Sequence, residues 1–287
     1  MSQYRAKEHY SQDQILEYMY SKHLISPTMI TKALHSVGVD LSHGTTIENL
    51  SDYDHDHFGG VKDTEECFKL LSIDTSSRLL DIGSGLGGPA RYIADRSGAR
   101  VIGIEIQRDR FETAQQFTKV VSLDHLVSFV NEDFSSVRVD REGYTHVISF
   151  LSILHMIDKK RVLQKLATAL RPGGVVLIED YYSTIRLSND DRITLLQTIS
   201  CPTLLRRETY IKTLEKFGIR INEVTDMTQL WNECAVERVK EYQNNLITLR
   251  KQFGSEAALN ALNFAQGVMR IFDRGLISGM RLLGEKI

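Results

Sequence analysis

A chain of 287 residues, 42% of them apolar, is long enough to bury one sizeable core. Its formal charge of −2 lacks the basic excess expected of a nucleic-acid binder, so no nucleic-acid partner is expected. No apolar run approaches the roughly 18–20 residues of a bilayer span, and the polar start Met1-Ser2-Gln3-Tyr4-Arg5 is unlike a secretory leader. The three cysteines, Cys67, Cys201 and Cys234, are far apart, with neither disulfide nor zinc spacing, which fits a reducing cytoplasm.

Ser11-Gln12-Asp13-Gln14 has the spacing of a capping box and opens a helix at Gln12 with Ile15, Leu16, Met19 and Tyr20 on one face, Tyr10 standing just ahead of the cap. Ser26-Pro27 pairs an N-cap with a proline at the first helical position and starts a second helix that Gly38 ends. From Asp40 to Gly60 the chain is rich in Ser, Thr, His, Asp and Gly, which predicts irregular structure. Within it, Tyr53-Asp54-His55-Asp56-His57-Phe58 holds possible metal ligands, but His55 and His57 have no distant partners at ligand spacing. They are expected to line a cavity, and no metal is expected. Residues 1–60 read as an N-terminal helical lid, and 61–287 as the main domain, beginning with a helix over 62–71.

Arg78-Leu79-Leu80-Asp81-Ile82 is a short buried strand with an acid near its end. Gly83, Gly85, Gly87 and Gly88 then allow a tight turn and close approach to a ligand, and Pro89 suits the first turn of a helix. Strand, glycine loop and helix together form a nucleotide-binding element. Gly83, Gly85 and Gly88 satisfy the dinucleotide spacing, a weak signal alone, whereas the carboxylate of Asp81 suits a cationic ligand. A second strand over 100–105 ends at Glu105, about 20 residues past Gly83, where a carboxylate can bond both ribose hydroxyls. A helix over 109–121 and a strand over 127–130 lead to Asn131-Glu132-Asp133-Phe134.

A fourth strand over 145–150, a turn over 151–156, a helix over 159–170, the turn Arg171-Pro172-Gly173-Gly174 and a fifth strand over 175–179 continue the alternation. Alternating strands and helices imply a parallel sheet covered on both faces, with ligands at the carboxyl ends of the strands. Asp81, Glu105, Asp133, His155 and Asp180 then share one rim. A helix over 207–217, a strand over 219–225, helical stretches over 229–253 and 256–272, and an apolar strand over 276–283 follow. The helical block, at about 227–274, is read as a lid insertion, with Trp231 packing within it.

Leu80-Asp81-Ile82-Gly83-Ser84-Gly85-Leu86-Gly87-Gly88 resembles the first motif of class I S-adenosylmethionine-dependent methyltransferases. Gly59-Gly60, Ile153-Leu154-His155, Asp180-Tyr181 and the stretch from Thr209-Tyr210 to Asp226-Met227 extend the likeness to the phosphoethanolamine and glycine/sarcosine/dimethylglycine N-methyltransferases. The resemblance implies an α/β fold with a Rossmann-like seven-stranded sheet, mostly parallel, its last strand antiparallel, with helices on both faces. It implies S-adenosylmethionine as cofactor, S-adenosylhomocysteine as product, and a cofactor site of Asp81, Gly83, Ser84, Gly85, Gly87, Gly88, Glu105, Ile106, Asp133, Phe134 and Phe150. Asp133 matches the acid that bonds the adenine amino group.

The same resemblance places Tyr10 and His155 as a catalytic pair and Tyr181 beside the acceptor; His55, His57 and Leu151 complete the expected acceptor contacts. Leu151 stands where the phosphoethanolamine enzymes carry an aspartate, and Ser200 and Pro202 stand where they carry a basic residue and a tyrosine. That departure puts phosphoethanolamine itself in doubt. An ammonium acceptor must lose its proton, which near pH 7 costs roughly 4 kcal/mol, and a histidine such as His155 is the natural recipient. The expected reaction is methyl transfer to a small molecule, first to an amine nitrogen; the alternative is O- or C-methylation of a more apolar sterol-, quinone- or acid-like metabolite. A monomer or a homodimer fits equally.

Overall fold

Residues 27–36 and 38–287 are described by a computed structural model. Seven strands build one sheet: β1 (Arg78–Ile82), β2 (Arg100–Ile104), β3 (Val127–Val130), β4 (Tyr144–Phe150), β5 (Leu170–Tyr182), β6 (Ile219–Asp226) and β7 (Ser278–Lys286). Their order is β3-β2-β1-β4-β5-β7-β6. The first five run parallel, and β7 lies antiparallel between β5 and β6, pairing Leu177 with Leu283 on one side and Ile221 with Gly284 on the other. The sheet expected from the alternation is therefore present.

The strands read as unbroken apolar runs because both faces of the sheet are covered. Leu80, Ile82, Val147, Val176 and Ile178 meet α6 (Lys159–Ala169) and α8 (Arg207–Lys216) through Val162, Leu163, Leu166, Tyr210 and Leu214. Leu79, Val101, Ile148 and Leu177 meet α3 (Gly60–Leu71), α4 (Gly88–Ser97) and α5 (Arg108–Val120) through Leu71, Ala90, Ile93 and Ala114. A third cluster joins Phe58, Leu154, Tyr181 and Trp231 to α7 (Asn189–Ile199), α9 (Thr228–Asn244) and α11 (Ser255–Asp273). Trp231 is fully buried there. No helix among the described residues is long and apolar enough to cross a membrane.

The structure corrects several boundaries. The stretch expected to be irregular contains α2 (Ile47–Asp54), whose Thr46 side chain accepts from the Asn49 amide. Leu50 anchors it by packing with Ile30 and Leu34 of α1 (Pro27–Ser36) against Leu86 and Phe117. β5 starts at Leu170 and runs through Pro172-Gly173-Gly174 instead of after them. The long helix expected over 229–253 breaks at Asn245, giving α9 and α10 (Leu246–Phe253). α7 was not anticipated, although Ser188 and Asp191 close a capping box at its start. The helix expected at Gln12, and Tyr10 with it, lie outside the described residues.

Candidate active site

A cavity of about 200 Å³ opens at the carboxyl ends of the parallel strands. One end lies over β1 and β2. There Gly83 turns the chain with φ +71, and the amides of Gly83 and Ser84 both donate to the Ile104 carbonyl, at 2.9 and 3.1 Å. The Ser152 hydroxyl donates to the Ile82 carbonyl at 2.6 Å, so close that a Cβ on Gly83 would lie 2.3 Å from that of Ser152. Gly83→Ala is therefore expected to raise the dissociation constant for S-adenosylhomocysteine at least about tenfold, since left-handed backbone alone costs an alanine about 1–2 kcal/mol. Calorimetric titration checks this.

Glu105 accepts from the amides of Gly85 and Gln107, each at 2.8 Å. Burial pushes its pKa up, and Arg110 with these two amides holds it down in part. Asn131 secures the turn beyond β2 by donating to the carbonyls of Glu105 and Ile106, each at 2.9 Å, a role the sequence reading missed. Asp133 is oriented by the Ser135 amide and hydroxyl, both at 2.7 Å. Ile106, Phe134 and Phe150 also face the cavity.

Asp81 is 2% exposed, and its Oδ2, like the Ser84 hydroxyl, is buried with no partner among the described residues. Burial, and then the charge of Glu105, push its pKa up to about 7. An orphaned carboxylate oxygen at the head of a glycine turn fits a ligand that brings positive charge, as S-adenosylmethionine does with its ammonium and sulfonium.

Two glycines of the motif serve the fold. Gly87 and Gly88 are not among the lining residues. A Cβ on Gly87 would lie 2.5 Å from the Phe129 ring, and one on Gly88 would lie 2.4 Å from the Asp54 carbonyl. They let α4 sit tightly against β3 and the end of α2. Arg91, one turn into α4, is fully buried and donates to Asp54 at 2.6 Å, the Leu86 carbonyl at 2.7 Å, Thr118 at 3.0 Å and the Ala114 carbonyl at 3.2 Å. Burial opposes ionisation of Asp54, but Arg91 and His55 hold its carboxyl below the ordinary range. His55 is spent on this pair, 2.8 Å from Asp54, and does not line the cavity. Arg110 reaches Asp56 at 2.9 Å.

His57 does line the cavity, stacked 4.7 Å from the Phe150 ring. Burial, followed by the field of its neighbours, pushes its pKa down to about 3, which keeps it neutral. Asp63, Cys67 and Glu179 form a cluster with metal-ligand geometry among the described residues. Arg281 already fills it, donating to Glu179 at 2.7 Å and to Asp63, so an ion-pair core stands where a cation would.

The other end of the cavity is largely apolar. Phe58, Leu151, Leu154 and Tyr181 cluster there with Ile199 of α7, Ala235 of α9 and Phe264 and Val268 of α11. His155 joins them, its Nδ1 3.3 Å from the Ser200 carbonyl. A carbonyl only accepts, so in the neutral ring Nδ1 carries the hydrogen and Nε2 is the basic nitrogen. Leu151 follows β4 with φ +49. Asp180 leaves the expected rim: it is fully buried, accepts from the Tyr210 hydroxyl at 3.1 Å, and is pushed up to about 6 by burial. Arg238 of α9 also lines this end, a residue the sequence reading did not single out.

The strand order, the glycine turn and the two strand-end carboxylates define the class I methyltransferase architecture. Residues 80–178 match the family model described as "Methyltransferase domain". "Phosphoethanolamine N-methyltransferase" of Plasmodium falciparum is 27% identical over 200 residues, 69% of this chain and 74% of that protein. "Methyltransferase GfsG" of Streptomyces halstedii is 29% identical over 175 residues, 59% of this chain and 62% of that protein. The chain thus spans less than two thirds of GfsG. Among solved structures, Haemonchus contortus phosphoethanolamine N-methyltransferase 2 in complex with S-adenosyl-L-methionine superposes with TM-score 0.74 at 21% identity, over 98% of this chain and 58% of that one. The [4+2]-cyclase SpnF superposes with TM-score 0.70 at 17% identity, over 96% and 97%.

Proposed function

We propose that the chain transfers a methyl group from S-adenosylmethionine to a small, largely apolar molecule, at an oxygen or an acidic carbon. The observation that carries this is the acceptor end of the cavity, walled by Phe58, Leu154, Phe264 and Val268 and carrying the cation of Arg238. An ammonium acceptor would meet apolar walls and a like charge there, and Leu151 offers it no carboxylate. The segment up to residue 60 and the helices between β6 and β7 act as the covers that exclude water.

S-adenosylmethionine supplies a methyl already activated on sulfur, so the protein's work is to hold, align and dry the reactants. Asp81 would meet the positive charges of the methionine end, Glu105 would hold the ribose hydroxyls, and Asp133, with Ile106 and Phe134 lining the same cavity, would hold the adenine amino group. His155 removes the acceptor proton at Nε2, with the Ser200 carbonyl fixing the tautomer. Tyr10 is the proposed partner of His155, and Tyr181 a contact to the acceptor.

A second reading, methylation of an amine nitrogen, is favoured by the likeness to the phosphoethanolamine enzyme over 69% of this chain. A labelled-methyl screen across apolar alcohols, phenols, apolar acids, quinols, amines and phosphoethanolamine separates the two. Label on apolar oxygen or carbon is expected; label confined to amines would replace the first reading by the second. A protein that binds no S-adenosylhomocysteine would end both.

Cofactor affinity is also expected to rise with pH and level off above about 7, because Asp81 must ionise to meet the ligand's charge. Asp81→Asn should weaken binding and flatten that profile. The sign for the free protein is opposite. Because the folded value lies above the ordinary 3.8, Asp81 contributes stability below that value, and the contribution is lost as pH rises through about 7. Calorimetry and urea titration over this range read the two trends.

A further inference from the structure

Arginines surround the site, and most have carboxylate partners. Arg91 pairs with Asp54 at 2.6 Å, Arg110 with Asp56 at 2.9 Å and Arg281 with Glu179 at 2.7 Å. Arg238 has no carboxylate within salt-bridge distance among the described residues, though it lines the same cavity. Its guanidinium lies instead 5.8 Å from the centre of the Phe58 ring. Tyr181 also neighbours Phe58, with 6.4 Å between ring centres. The Tyr181 hydroxyl makes no hydrogen bond to a described residue, and Tyr181 too lines the cavity.

Arg238 is half-buried, its guanidinium lies by the Phe58 ring in a cavity also lined by Ala235 and Phe264, and it loses hydration with no opposite charge to replace it. That arrangement is stable in the presence of a ligand that supplies the charge. Arginine presents a planar fork of donors suited to a carboxylate or phosphate, and the Tyr181 hydroxyl is a further donor lining the same cavity. The Arg238 charge is felt at Tyr181, where it opposes the upward push that burial exerts on the phenol.

We propose that Arg238 is a specificity-determining residue that selects, for the methyl-transfer site, an acceptor with an apolar body and an anionic oxygen. The inference rests on the methyl-transfer reading and deepens it, from an apolar acceptor to an apolar acid. The anchoring anion is a carboxylate or a phosphate, held by Arg238 with Tyr181, while the apolar body lies along Leu154, Phe264 and Val268.

The test uses the full chain saturated with S-adenosylhomocysteine and a matched set of probes: decanoate, decyl phosphate, decanol and decylamine. Calorimetry is expected to show at least one anionic probe binding about tenfold or more tighter than decanol, with decylamine weakest. The decanoate and decyl phosphate arms tell which anion is preferred. In Arg238→Gln the preference should disappear while decanol and S-adenosylhomocysteine bind as before, and Arg238→Lys should recover part of it. Anionic probes no better than decanol in the natural protein, or a preference that survives Arg238→Gln, would overturn the assignment of Arg238 alone. Failure of the natural protein to bind S-adenosylhomocysteine would overturn the methyl-transfer reading on which it rests.

Discussion

Replacing His155 with alanine is expected to lower methyl transfer to the acceptor found in the labelled-methyl screen by about 10²–10⁴-fold, the usual contribution of a positioned general base. S-adenosylhomocysteine affinity should stay within about twofold, because His155 lines the acceptor end and the cofactor carboxylates lie over β1 and β2. His155→Asn makes the experiment discriminating. An asparagine amide can still donate to the Ser200 carbonyl, now bonded to Nδ1 at 3.3 Å, but has no basic nitrogen. If proton removal is the role, both variants lose turnover; if anchoring the turn after β4 is the role, His155→Asn retains it.

Breaking the Arg91–Asp54 pair is expected to cost about 3–5 kcal/mol of stability, whichever partner is removed. In Arg91→Met, the Asp54 carboxylate is left buried at 2% side-chain exposure, and the carbonyls of Leu86 and Ala114 lose a donor. In Asp54→Ala, the guanidinium keeps its carbonyl bonds but loses its counter-charge. The double variant should be less destabilised than the sum of the two, since the unpaired charge is gone. Urea unfolding of the four proteins measures this cycle. Equal additive losses would show that the residues act separately.

The parallel half of the fold was legible because its physics is local. Buried strands are apolar runs, and a strand that ends at a ligand site carries its acid at the end, as in Arg78–Ile82 followed by the glycines. The spacing to Glu105 carried the second carboxylate. Where stability comes from distant partners, the sequence is silent. α2 is mostly polar, held by the Thr46 cap, by Leu50 and by an ion pair across 37 residues, so composition made it look irregular. The strand-end rule put Asp180 on the rim, yet the Tyr210 hydroxyl of α8 covers it. Gly87 and Gly88 match the motif in sequence, but what requires them is the approach of Phe129 and Asp54. Arg238 sits in a helix rich in charge, and only the placing of α9 across the cavity gives it a different meaning.

The antiparallel placing of β7 has a consequence for how the molecule comes off the ribosome. β6 is an edge strand and joins the sheet only through β7. A nascent chain that has emitted everything through α11 therefore holds β6 unpaired and β5 open along one side. It also carries Glu179 and Asp63 without the guanidinium of Arg281, which arrives 218 residues after Asp63. Parallel strands β1 to β5 can assemble as they emerge, whereas the last strand closes the sheet and neutralises two buried carboxylates in one event. Synthesis that stalls before it would leave an exposed, charge-frustrated edge, the kind of surface that chaperones and proteases recognise.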